Sequence, residues 1–231
     1  MCGRYTLATT TPAQLRDRFP IGESVQIATR YNVAPGDDVV CVTTDKEGAP
    51  RGELLRWGLV PHWAKDTKDA FKRINARVET LTERPAYRDA LKTHRCLVIA
   101  DGFYEWQPLG GKVKQPWWIT RSDHAPFAFA GLWSTWRAPD GSQLRSMTIV
   151  TTEAVGALRD LHHRAPVILE PGAEPAWLDH ATQPSELPAL LAGIDQRQTA
   201  TRAVGTAVND ARYDGPACLD TPDEPRSAQL F

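Results

Sequence analysis

The chain has 231 residues, of which 42% are hydrophobic and 24% charged, with a formal net charge of −1. Those values fit one core-forming domain and announce no nucleic-acid partner globally. No apolar run approaches the ~20 residues that a membrane helix needs. The start lacks the basic and apolar stretches of a signal peptide, so the expected location is the cytosol, nucleoid-associated in a bacterium, with Cys2, Cys41, Cys96 and Cys218 reduced.

In chain order, the first feature is Cys2, directly behind Met1. Removal of Met1 would leave an amine and a thiol on adjacent carbons, with reference pKa values of about 7.7–8.0 and about 8.5. Such a pair condenses with an aldehyde to an imine and then closes a thiazolidine ring, an intramolecular step with effective molarities of about 10⁵–10⁸ M. "TPAQLRDRF" (11–19) reads as a helix with a Thr cap and a Pro in its first turn. "VVCVTT" (39–44) and "ELLRWGLVP" (53–61) read as strands joined by a polar turn. In "WGLVPHW", Trp57 suits the core, whereas Trp63 beyond the Pro turn suits an exposed stacking platform.

"RINARVET" (73–80) alternates, which puts Ile74, Ala76 and Val78 on a core face and Asn75, Arg77 and Glu79 on the other. An amide beside a guanidinium suits a polar, anionic ligand; an ordinary half-exposed strand gives the same pattern. Residues 82–95 read as a helix capped by Thr82, followed by strand-like runs from "CLVIADGFYEW" to "SMTIVTT" and "APVILE". "PLGGK" and "APDGSQ" are hairpin turns between them. Glu105 sits among aromatics, where lost hydration raises a carboxyl toward the range useful for proton transfer, while Trp106 faces away and reads as core. A helix is expected over "TEAVGALRDLHH", then His162, His163 and Arg164 at a helix-to-strand junction. Adjacent histidines lack helical metal-pair spacing and no CxxC pair occurs, so no metal is expected. Short helices follow at "EPAWLDH" and "PSELPALLAG".

Residues 51–100 hold eleven Lys/Arg against six Asp/Glu, and residues 170–231 hold four against ten, so a neutral total hides a basic segment. Hairpins with helices added indicate an α+β fold: a mainly antiparallel, partly closed, barrel-like sheet with peripheral helices. One domain is expected over 1–218, with 219–231 a mobile acidic tail. With no GxGxxG or Walker sequence, no nucleotide cofactor is expected, nor any other cofactor.

"MCGRY", "RYNVAPG", "WGLVPHW", "INARVET", "DGFYEW", "LHHRAPVIL" and "VGTAVNDARYDGPAC" occur in this order. The ordered set resembles the SRAP family, SOS response-associated peptidases understood as abasic-site processing proteins. The resemblance implies the SRAP fold and covalent capture of abasic sites in single-stranded DNA as a thiazolidine crosslink through Cys2. It implies that Asn75 holds the deoxyribose or the Cys2 terminus, that Glu105 shuttles protons, and that His162 assists sugar-ring opening. Arg4, Arg77 and Arg164, with Arg84 in a less certain register, would grip phosphates, and Trp63 would stack on a flanking base. Replication-fork proteins are the implied partners. The chain departs from the family's usual pattern at Ala64, His163 and Ala165. Two other readings stay open: a thiol peptidase or amidohydrolase with Cys2 as N-terminal nucleophile, and a non-covalent DNA reader using Arg4, Arg77, Arg164 and Trp63.

Overall fold

The computed structural model describes residues 2–222. Its elements run β1 (Tyr5–Leu7), α1 (Pro12–Arg18), β2 (Arg30–Val33), β3 (Asp38–Thr44), β4 (Pro50–Trp57), β5 (Asn75–Arg77), α2 (Pro85–Thr93), β6 (Arg95–Ala100) and β7 (Gly102–Gly110). They continue with β8 (Val113–Arg121), β9 (Phe127–Arg137), β10 (Gln143–Glu153), α3 (Ala157–Leu161), β11 (Arg164–Pro166), α4 (Glu174–Leu178), α5 (Leu187–Leu190) and β12 (Thr199–Ala203).

Strands β10, β4, β3, β6 and β9 form a ring, because β9 pairs back onto β10. All neighbours in the ring are antiparallel except β10 and β4, which run parallel from Ser146↔Arg56. Closure removes the free strand edges that would otherwise invite pairing with another chain. Side chains alternate across the wall. Cys41, Val98, Phe129 and Met147 pack with one another on the inside, while Val42, Leu97, Ala130 and Val150 pack outward against Leu15 of α1, Leu91 of α2 and Trp177 of α4. Gly131 belongs to the inner face, where a Cβ would lie 2.7 Å from the Cys96 sulfur.

A second antiparallel sheet, ordered β12-β8-β7-β1-β2, packs onto this barrel. Its Phe103 and Ile119 join the barrel's inner cluster, and Tyr5 bridges to Trp57 and Phe129 at ring separations of 5.4 and 5.9 Å. Its other face, with Tyr104 and Trp118, covers a small cluster with Val204, Val208 and Cys218. The α+β, mainly antiparallel, barrel-like architecture is therefore the one expected.

Several boundaries differ from the sequence reading. The run 96–106 is two strands in two sheets, broken at Asp101. The buried Asp101 carboxylate accepts from Thr6 Oγ1 at 2.6 Å and from the amides of Ala8, Thr9 and Thr10 at 2.6–3.1 Å, which ties the N-terminal strand to the break. The second helix starts at Pro85 with Arg84 before it, not after Thr82, because proline is favoured in the first turn where its missing N–H costs nothing. The strand in "RINARVET" keeps its alternation over Asn75–Arg77 only; Val78–Thr80 turn into a 3₁₀ helix. Trp106 is half-exposed and donates to Asn209 Oδ1 at 2.7 Å instead of filling the core. The mobility expected of the acidic tail falls, for 223–231, outside the described residues.

Candidate active site

Cys2 is fully buried, in the same apolar cluster as the barrel interior. Two strands bring polar groups to it. β5 lies parallel beside β10, with Asn75 opposite Ile149, and the Asn75 side-chain amide donates to the Cys2 carbonyl at 2.8 Å. The Asn75 carbonyl oxygen of that amide is buried without a hydrogen-bond partner among the described residues, so an acceptor remains for a ligand beside Cys2. From the second sheet, β7 supplies Glu105, which is 5% exposed. Burial raises the Glu105 pKa above the ordinary carboxylate range. Burial, and then the nearby Glu105 charge, push the Cys2 thiol well above its usual value.

Helix α3 sends Leu158 and Leu161 into the Cys2 cluster, so His162, the next residue, sits at that cluster's edge. The backbone N–H of Arg164 donates to His162 Nδ1 at 3.0 Å. With Nδ1 accepting, the neutral ring carries its proton on Nε2. Burial lowers the His162 pKa to about 4, so the ring is neutral at physiological pH. His163 lies against it with ring centroids 4.2 Å apart.

The arginines divide into two kinds. Arg164 is 8% exposed and forks onto Glu79, at 2.6 and 2.9 Å, while also donating to the Thr151 carbonyl at 2.6 Å. Arg4 donates to Asn32 Oδ1 at 2.9 Å and the Val208 carbonyl at 2.8 Å. Asn32 in turn donates to the carbonyls of Val208, Asp210 and Tyr213, and Asp214 accepts from the amides of Tyr31 and Asn32. The "VNDARYDG" segment thus clamps the strand next to β1, and Arg4 is part of the clamp. Arg77 and Arg84, by contrast, are exposed and make no ion pair among the described residues. Trp63 is 52% exposed and lines a cavity with α2 and the end of β9, a lining that does not include Cys2.

Residues that the sequence reading passed over also reach the site. The β7–β8 register pairs Glu105 with Trp117, so both side chains share one face, and the Trp117 indole donates to Gln107 Oε1 at 3.1 Å. Lys114 on the same hairpin carries a positive charge felt by both Glu105 and His162. The turn was legible in "PLGGK", but a register shift between Pro108 and Gly110 moves the pairing by one, so simple counting would have placed Trp118 opposite Glu105. Tyr87 of α2 donates to the Asn75 backbone carbonyl at 3.3 Å, a contact that no local pattern signals.

The sequence profile described as SOS response associated peptidase (SRAP) matches residues 1–211. The chain belongs to the SRAP family. It is 40% identical over 224 residues to a Bacillus subtilis protein named abasic site processing protein YoaM, covering 95% of this chain and 98% of that one. It is 36% identical to the Gallus gallus protein named abasic site processing protein HMCES, over 71% of this chain and 56% of the relative. Among solved structures, a Bacteroides thetaiotaomicron protein superposes with a TM-score of 0.81 at 22% identity, over 96% of this chain and 99% of that one, a likeness of fold. A phage-related protein from Bordetella bronchiseptica gives 0.71 at 29% identity, over 96% of this chain and 100% of its own. In this SRAP chain the residues converging on the barrel are the thiol of residue 2, an amide, a buried acid and a neutral histidine.

Proposed function

We propose that the chain processes abasic sites by covalent capture: once Met1 is removed, Cys2 reacts with the ring-opened aldehyde of an abasic site in single-stranded DNA. The observation that carries this reading is the 2.8 Å hydrogen bond from Asn75 to the Cys2 carbonyl, which holds the N-terminal residue beside a buried acid. The bond satisfies a buried backbone carbonyl and at the same time fixes the direction of the amine and thiol of residue 2.

The neutral His162 Nε2–H donates to the sugar ring oxygen and favours the open aldehyde. The free Cys2 amine attacks the aldehyde carbon to give a carbinolamine. Glu105, whose acid form is favoured by burial, gives a proton to the departing hydroxyl, and water leaves as the imine forms. The thiol then adds to the imine carbon; its proton passes through the Glu105 carboxylate to nitrogen. Aldehyde, amine and thiol thereby become one thiazolidine and one water. A thiol held in its neutral form by burial suits this order, in which the amine reacts first. Of these four arginines, Arg77 and Arg84 make no ion pair among the described residues and can meet phosphates directly, while any grip by Arg4 or Arg164 requires them to share or leave their protein partners.

The family's description as a peptidase supports a second reading, in which Cys2 is an N-terminal nucleophile and its own amine the base. Incubating the purified protein with a strand bearing an abasic site separates the two. A denaturation-resistant shifted band absent in Cys2→Ala is the outcome expected; a band of equal yield in that variant contradicts capture. Release of amide products without DNA, abolished by the same substitution, supports the peptidase reading.

A further inference from the structure

A cavity of about 510 Å³ lies between α2 and the segment that joins α4 to α5. Arg88, Leu91 and Lys92 line it from the helix, at positions three and four apart that share one face. Pro184 and Leu187 line it from the other segment. Leu91 and Leu187 are buried in the apolar cluster outside the barrel wall, so the cavity floor is continuous with the core. Among the described residues no Asp or Glu belongs to the lining, whose formal charges are those of Arg88, Lys92 and Arg95. Arg88 is exposed and lies 3.4 Å from Asp89, and Lys92 is exposed at the end of the helix.

Arg95 is the unusual member, at 1% exposure. Its Nη1 donates to the Leu91 and Lys92 carbonyls, which closes the last turn of α2. Its Nε donates to the Trp177 carbonyl and its Nη2 to the Asp179 carbonyl. All four acceptors are neutral. A guanidinium has five N–H donors, so one N–H on Nη2 is left over. Burial lowers the Arg95 pKa, and the nearby Asp179 charge offsets only part of that. A buried cation whose partners are all carbonyls gains from an anion beside it. The apolar floor offers no partners for the several oxygens of a phosphodiester, whereas a cavity of this volume falls in the range of small-molecule sites, about 300–1,000 Å³.

We propose that this cavity binds a small organic acid. Its carboxylate meets the remaining Nη2 N–H of Arg95 and the Lys92 ammonium, and its aliphatic or aromatic body lies on Leu91, Pro184 and Leu187. The lining contains none of Cys2, Asn75, Glu105 and His162, so the site is separate from the reaction centre and does not rest on the capture reading.

The test is calorimetric titration of the purified protein with hexanoate, octanoate and decanoate, and with octanol and octylammonium as controls. The expected result is saturable one-to-one binding of the acids, with Kd falling about tenfold for every two added carbons. Octanol should bind at least about tenfold more weakly than octanoate, and octylammonium should show no saturable binding. Arg95 also holds the end of α2, so the variants leave it in place. Lys92→Glu reverses an exposed charge and Gln183→Trp obstructs the cavity from an exposed lining position; each should weaken octanoate binding by about tenfold or more without lowering Tm. Cys2→Ala should bind octanoate with unchanged Kd. Absence of saturable binding, equal affinity for octanoate and octylammonium, or an unchanged Kd in Gln183→Trp overturns the proposal. Loss of binding in Cys2→Ala overturns it too, because the acid would then occupy the reaction centre.

Discussion

Around Cys2, the polar groups come from strands as far apart in sequence as residues 2, 75 and 105, and they are packed into the barrel's apolar cluster. Around Trp63, the lining comes mostly from one loop, one helix face and one strand end, and its rim is open to water. The first region is expensive to build, because burying polar groups is favourable only where each finds a partner or a task. The second is an ordinary surface feature that costs the fold little. Substitutions should therefore change reaction rate in the first region and affinity in the second.

The largest effect is expected at Cys2. Cys2→Ala should remove the stable adduct and leave only an imine that borohydride can trap, since the amine remains; gel analysis with and without reductant reads this. Next comes Glu105→Gln, with a loss of about 10²–10⁴-fold in single-turnover crosslinking, the usual contribution of a proton-transfer group. Because burial raises the Glu105 pKa, its acid form persists to higher pH than an ordinary carboxyl and is lost as pH rises through that raised value. The wild-type rate should fall on that limb and the variant's should not. Asn75→Ala should cost about 10²-fold in rate, as misplacement of a reacting group does, with affinity for a tetrahydrofuran strand nearly unchanged. An equal loss of affinity would erase the distinction between the two regions. The smallest effect is expected at Arg77, where substitution by Ala should weaken binding a few-fold and reduce the salt slope by about 0.7, one phosphate on single-stranded DNA. Arg164→Ala should differ by also lowering Tm by several degrees, since it strands the buried Thr151 carbonyl and releases Glu79.

Much of the fold was legible where local signals are strong. The Thr11 cap with Gln14 fixes α1, and the two glycines of "PLGGK", both at positive φ, fix the β7–β8 hairpin. Partial closure into a barrel was expected, but the pairing that closes it was not legible, because the parallel β4–β10 ladder joins strands about ninety residues apart and rests on two register pairs. Strand β1 has three residues, too few for a period-two pattern to declare itself. In the site, residue type and order singled out Cys2, Asn75 and Glu105, which the structure brings together. It could not distinguish an arginine free to meet phosphate from one engaged by protein, and Arg164 and Arg77 are two positions of one such contrast. That difference depends on Glu79, whose side chain reaches Arg164 only through the fold.

Everything in the capture reading depends on which atoms of residue 2 end up bonded to the sugar. Digestion of the adduct with trypsin, followed by mass spectrometry of the Cys2–Arg4 peptide, addresses this directly. The account predicts that Met1 is gone, that the sugar is attached with loss of one water, and that the Cys2 sulfur resists alkylation because it is in the ring. A sulfur that still alkylates freely, or a sugar attached to any other residue, would contradict it.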